Sequence, residues 1–198
     1  METDSARARA MDDTRRRILD VALEVLGRNP DAGMAEVASA VGVVRRTVYG
    51  YFPSRADLVR TLAQQAVDEI AAVLDDVDAK SGSPETVWVE FISRLWPLAH
   101  RYRVLVALRR GEYGHEIHAL LVPVDQALAD LVERGQDAGV FARHLPAPIL
   151  SQVAFSAVFA VADSSLAGQG VEAHAALITT LLLLGVPEER AQELTWFR

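Results

Sequence analysis

The chain has 198 residues, 51% of them hydrophobic and 7% aromatic, with a formal net charge of −7. It contains no cysteine, which excludes disulfides and thiolate metal sites. The most apolar stretch, residues 175–186, is shorter than the roughly 20 residues that span a bilayer. The first thirteen residues mix both charge signs without a secretion signal's apolar run, so a soluble, cytoplasmic protein with no membrane partner is expected.

The sequence predicts an all-α fold of about nine helices, because helical periodicity recurs and no long run alternates with period two. Residues 1–11 are polar and rich in Ala and Arg, and read as a disordered arm. A first helix is expected over 13–27, with Asp12 or Asp13 as its cap, Gly27 at its end, and Ile18, Ala22, Val25 and Leu26 on one stripe. Turn chemistry over 28–33 precedes two short helices, 34–40 and 44–51, separated by Val41, Gly42 and Val43. Pro53 ends the second. Ser54 to Asp57 has the pattern of a capping box, opening a long helix to about Asp75. After a linker at 79–84, helices are expected at 85–100, 102–110, 116–138, 147–167 and 172–184, divided by Gly and Pro residues.

The window from Met34 to Phe52 has helix-turn-helix spacing. Two short helices that cross steeply need a small residue at the contact, which Ala38 supplies, and a turn that accepts a positive backbone angle, which suits Gly42. Val37, Val43 and Val48 are spaced to fill the space between the helices. The other face of the second helix carries Arg45, Arg46, Thr47, Tyr49 and Tyr51. An arginine fork matches guanine O6 and N7, a threonine methyl matches thymine, and tyrosine hydroxyls reach phosphate. Gly50 allows a close backbone approach. Arg55, at the start of the next helix, is expected to join free N–H groups in holding a phosphate.

Charge is distributed in keeping with this. Nine Arg and nine acidic residues lie between Met1 and Asp57, whereas eleven Lys and Arg accompany eighteen Asp and Glu from Leu58 onward. Salt screens charges beyond about 10 Å, so the local balance governs contact with phosphate.

The segment from Gly33 to Val59, GMAEVASAVGVVRRTVYGYFPSRADLV, resembles the signature of the TetR family of repressors. The motif resemblance covers about residues 14–60. It implies a DNA-binding domain over 12–55, followed by a ligand-binding and dimerisation domain over 56–198. It also implies a double-stranded DNA operator, a small-molecule effector and no enzymatic role. The chain departs from the family at Val44, where Ser or Thr usually caps the recognition helix and touches phosphate, and at Gly33, where Ser or Thr usually precedes the second helix.

A single recognition helix reads few bases, so two copies are expected, joined through the C-terminal helices. In 147–167, Ile149, Val153, Ser156, Ala157 and Ala160 fall on neighbouring positions, and the run after Ala176 is apolar nearly all round. The resemblance favours a four-helix homodimer interface there. The middle helices hold the aromatic and ionisable residues expected of an effector cavity: Trp88, Phe91, Trp96, His100, Tyr102, Tyr113 and His118, with Phe155 from a later helix. The long helix from Ala56 to Asp75 would carry a change from cavity to DNA-reading head.

Two other classes fit less well. A helical-bundle metalloenzyme would use Glu112 with His115, yet Gly111 and Gly114 break the helix such a pair needs, and no second copy exists. Ser164 and Ser165 beside Asp163 have no plausible base. No catalytic residue, metal or cofactor is expected. The remaining alternative is a helical ligand-binding or adaptor protein with impaired DNA binding, to which Val44 points.

Overall fold

In the computed structural model, which describes residues 2–77, 82–109, 111–163 and 172–196, helix α1 spans Glu2–Arg28. The disordered arm expected over residues 1–11 is therefore corrected: the lead-in continues the helix. Ala, Arg, Met and Glu all favour helix, and the Thr14 hydroxyl donates to the Ala10 carbonyl at 2.8 Å. Asp12 and Asp13, expected as caps, lie inside α1.

Then follow α2 (Met34–Val41), α3 (Arg45–Tyr51), α4 (Arg55–Asp76), α5 (Pro84–Arg101) and α6 (Val104–Arg109). The series continues with α7 (Gly114–Asp137), α8 (Ala147–Ala162), α9 (Ala173–Leu183) and α10 (Glu188–Thr195). No strand occurs among the described residues, and the chain is all-α as expected. Helix α10 is additional to the nine expected. Pro187 at its N-cap, with Glu188 and Glu189 in its first turn, is the start signal the sequence holds for it. Ser164, Ser165, Gly168, Gly170 and part of the linker at 79–84 lie outside the described residues.

The chain divides into two compact units, Met1–Gln65 with Val104–Ile117, and Ala66–Arg103 with His118–Arg198. The first differs from the contiguous 12–55 domain expected: it also takes the opening of α4 and the later stretch that holds α6.

The core of this first unit follows from spacing. Helix α1 buries Ile18, Leu19, Ala22, Leu23 and Leu26, one face of a 3.6-residue period, while Val25 is half-buried. Helix α2 buries Met34, Val37, Ala38 and Val41, and α4 buries Leu58, Val59 and Leu62. Helix α6 packs on α1. The Arg60 guanidinium reaches Glu116 at 3.0 Å and Asp57 at 3.1 Å, which ties the start of α7 to α4 within this unit.

In the second unit, α5, α8 and α9 pack on one another and α10 closes on α5 and α9. Trp88 is fully buried, and its indole N–H donates to Thr180 Oγ1 at 3.1 Å. That bond matters because an unpaired buried donor costs about 1–3 kcal/mol. Arg190 of α10 donates from Nε to the largely buried Glu85 carboxylate at 3.2 Å. Its hydrogen bonds to Glu85 and then Glu193 raise the Arg190 pKa above the usual arginine value. No helix among the described residues is long and apolar enough to cross a membrane.

Candidate nucleic-acid interface

The turn between α2 and α3 is fixed by backbone geometry. Gly42 has φ +78° and ψ 33°, the left-handed region that L side chains adopt only with strain. Its N–H donates to the Ala38 carbonyl at 3.1 Å and to that of Ser39 at 3.2 Å, and the Val43 N–H donates to Ala38 at 3.0 Å. Arg17 of α1 donates from Nη2 to the Val41 carbonyl at 2.7 Å, capping α2 from outside. These bonds answer carbonyls that a helix end leaves unpaired.

Helix α3 is a seven-residue helix, far too short to persist in isolation. It is held by Val48, which is completely buried, and by Phe52 at its C-cap, also buried. Val37 and Ala38 face the same core, whereas Val43 is half-buried rather than a full plug. With Val48 inward, helical geometry turns Arg45, Arg46 and Tyr49 outward, and all three are exposed. Thr47 and Tyr51 are half-buried.

Arg45 and Tyr49 stand one turn apart. The guanidinium lies 5.3 Å from the Tyr49 ring centre, and Nη2 donates to the hydroxyl at 3.1 Å. This pre-orders two long side chains on the outer face and leaves the other Arg45 donors facing solvent. Arg46 has no hydrogen-bond partner among the described residues. A Cβ built on Gly50 meets nothing within 4 Å, so this part of the face is open. Val44 is the N-cap of α3: its carbonyl accepts from Thr47 at 2.8 Å, it offers no side-chain cap, and it is 70% exposed.

Arg55 is placed unlike the other five candidates. Its Nε donates to the Ala32 carbonyl at 3.0 Å, Nη1 to the Tyr113 hydroxyl at 2.8 Å, and Nη2 to the Pro30 carbonyl. Three of its five N–H donors are thus held within the fold, which leaves two for the phosphate contact expected of it. The α4 start is also answered locally: the Ser54 hydroxyl accepts from the Asp57 N–H at 3.1 Å and donates to the Asp57 carboxylate at 2.7 Å. Sequence reasoning passed over Arg15, whose guanidinium lies 5.3 Å from the Phe52 ring centre and so sets a cation beside the end of α3. The triplet Arg15–Arg16–Arg17 ahead of Ile18 was the available signal.

Of the eight effector candidates, three come together in the second unit. The Phe91 and Phe155 rings stack at 6.3 Å, and Trp88 meets Phe91 edge-on at 6.3 Å. Trp96 and His100 form a separate edge-on pair at 4.6 Å, half-buried and exposed respectively. His118 is exposed. Tyr102 is buried and donates its hydroxyl to Glu69 at 2.7 Å, while Tyr113 belongs to the first unit. Glu112 lies ahead of α7, so it cannot share a helical face with His115, and no group of three potential metal ligands occurs among the described residues.

The second unit presents one further surface. On α8, Ile149, Val153, Ser156 and Ala160 are exposed at successive turns. On neighbouring α9, Leu182 is exposed and Ile178 half-buried.

Residues 18–62 match the family model of the bacterial regulatory proteins of the tetR family. Over 82 residues the chain is 42% identical to the HTH-type transcriptional repressor LfrR of Mycolicibacterium smegmatis, an alignment covering 41% of this chain and 43% of that protein. The solved structure of the TetR-like regulator LfrR from Mycobacterium smegmatis in complex with proflavine is similar at TM-score 0.69 and 26% identity, over 90% of this chain and 96% of that one. The fatty acid degradation regulator FadR from Bacillus halodurans shares the fold at TM-score 0.70 with 20% identity, over 86% of this chain and 94% of its own. Residues 18–62 thus form a helix-turn-helix of the kind that the tetR family model describes, and the fold of the chain is similar to that of LfrR over 90% of its length.

Proposed function

We propose that this protein is a sequence-specific DNA-binding transcriptional regulator, acting as a homodimeric repressor that a hydrophobic small molecule releases from its operator. The observation that carries the reading is the outer face of α3, where Arg45, Arg46 and Tyr49 are exposed around an inward Val48. No acidic residue occurs from 37 to 56, so the overall negative charge does not oppose phosphate at this face. Arg45 and Arg46 are the candidates for guanine, Thr47 for a thymine methyl or a phosphate, and Tyr49 and Tyr51 for phosphate.

Two α3 helices about 34–36 Å apart would meet successive turns of one duplex face. The exposed apolar positions of α8 and α9 support pairing with a second copy, since Ile149, Val153 and Leu182 are otherwise left in water. The ring cluster of Trp88, Phe91 and Phe155 supports a hydrophobic effector, as does the likeness to an LfrR that holds proflavine. We assign the coupling to α4, whose residues are divided between the two units. An effector weakens operator binding only by its difference in affinity for the DNA-competent and DNA-incompetent states.

The test is selection from a random DNA pool, followed by gel shifts at two salt concentrations. Wild-type protein is expected to enrich a two-fold symmetric site, and Arg45→Ala is expected to weaken that site by about tenfold or more, the scale of a lost base-reading arginine. An adaptor protein would enrich nothing, and that result would remove the DNA-reading assignment. A screen of planar aromatic cations and acyl compounds in which none alters operator affinity would remove induction and leave DNA binding intact.

A further inference from the structure

We propose that Val44 reads sequence directly, its isopropyl group contacting the C5-methyl of a thymine in the operator's major groove. This rests on the DNA-reading assignment above and gives that surface an apolar specificity element.

Two ordinary uses for this side chain are absent. It does not serve the core: Ile18, Val37, Val41, Val48 and Phe52 are all buried in the same unit, whereas Val44 is 70% exposed. It does not serve the helix either, because it stands at the N-cap of α3, where Ser, Thr, Asp or Asn would accept a backbone N–H, and Val makes no side-chain cap. An apolar group at a position where a polar one would help the fold therefore faces outward.

Its neighbours say what covers it. Arg45 and Arg46 follow immediately and are exposed, and no acidic residue occurs from 37 to 56. The occupant of such a surface is a polyanion. The residues at the N-terminal end of a recognition helix are those that reach base edges. Among those edges, the major groove offers one apolar group, the C5-methyl of thymine.

The experiment starts from the site selected out of a random pool copied with ordinary nucleotides, in which thymine is the sole source of a C5-methyl. Each thymine is then replaced singly by deoxyuridine, which removes the methyl and leaves base pairing unchanged. Binding is measured for the wild type and for Val44→Ala, a change at an exposed position whose thermal unfolding confirms an intact fold. One thymine in each half-site is expected to show about fourfold weaker binding by the wild type when replaced, the value of one buried methyl-sized group. Val44→Ala is expected to be indifferent to that same replacement. A flat uracil scan, or equal losses in both proteins at every position, overturns the role of Val44 while the selected site keeps the regulator reading. A pool that yields no site overturns both.

Discussion

The Arg55 guanidinium lies 5.2 Å from the ring centre of Tyr113 and donates to that residue's hydroxyl at 2.8 Å, joining positions 58 apart in sequence. The same fork holds the carbonyls of Pro30 and Ala32. Lysine keeps the charge but lacks the planar fork that meets three acceptors at once. Arg55→Lys is therefore expected to lose about 1–3 kcal/mol of stability in urea unfolding, with operator affinity of the folded protein little changed. Unaltered stability with a large loss of DNA affinity would assign Arg55 to the phosphate backbone instead.

Val44→Ser supplies the missing cap of α3. It is expected to raise stability by about 1 kcal/mol, read as a higher melting temperature. If specific affinity rose along with stability, the apolar contact assigned to Val44 would have no support.

Gly50 lies inside α3, where glycine costs about 0.5–1 kcal/mol relative to alanine. A Cβ there meets nothing within 4 Å. Gly50→Ala is expected to stabilise the isolated protein and to weaken specific binding, while leaving non-specific binding at low salt in place. Specific binding equal to wild type would mean that the backbone does not approach the groove at this point.

Ile149 and Val153 are 50% and 43% exposed on one face of α8. Replacing both by Asp adds like charges to the proposed pairing surface while leaving each subunit's core untouched. Sedimentation is expected to show a dimer for the wild type and a monomer for the double variant, with unchanged far-ultraviolet circular dichroism. A wild-type monomer at micromolar concentration would remove this surface as the site of pairing.

Much of the proposed DNA-reading surface was legible because short-range spacing determines it. Gly42 between two short helices, with Val37 and Val48 at core positions, fixes which side of α3 faces out. The stripe from Ile149 to Ala160 was legible for the same reason, through a period read along a single helix. The bond of Arg55 to Tyr113 was not legible because the fold brings the two together, and no local pattern announces a bond over that separation. The opening of α1 was missed because a helix of polar residues and alanine has no apolar stripe to reveal it. The grouping of effector candidates was equally hidden: composition gathers Trp96, His100 and His118 with Trp88, and packing separates them.

The first unit is assembled from two stretches of chain, and Tyr113 and Glu116 of the later stretch anchor Arg55 and Arg60 of the earlier one. A chimera spliced just after the helix-turn-helix would thus transplant an incomplete module, with its arginines facing the host's unrelated residues. Operator preference would pass between relatives more readily by exchanging single exposed residues of α3, since Val48 and the C-cap Phe52 root that helix in the core. For the proposed DNA reading, point changes on that short surface would be the easiest route to a new specificity.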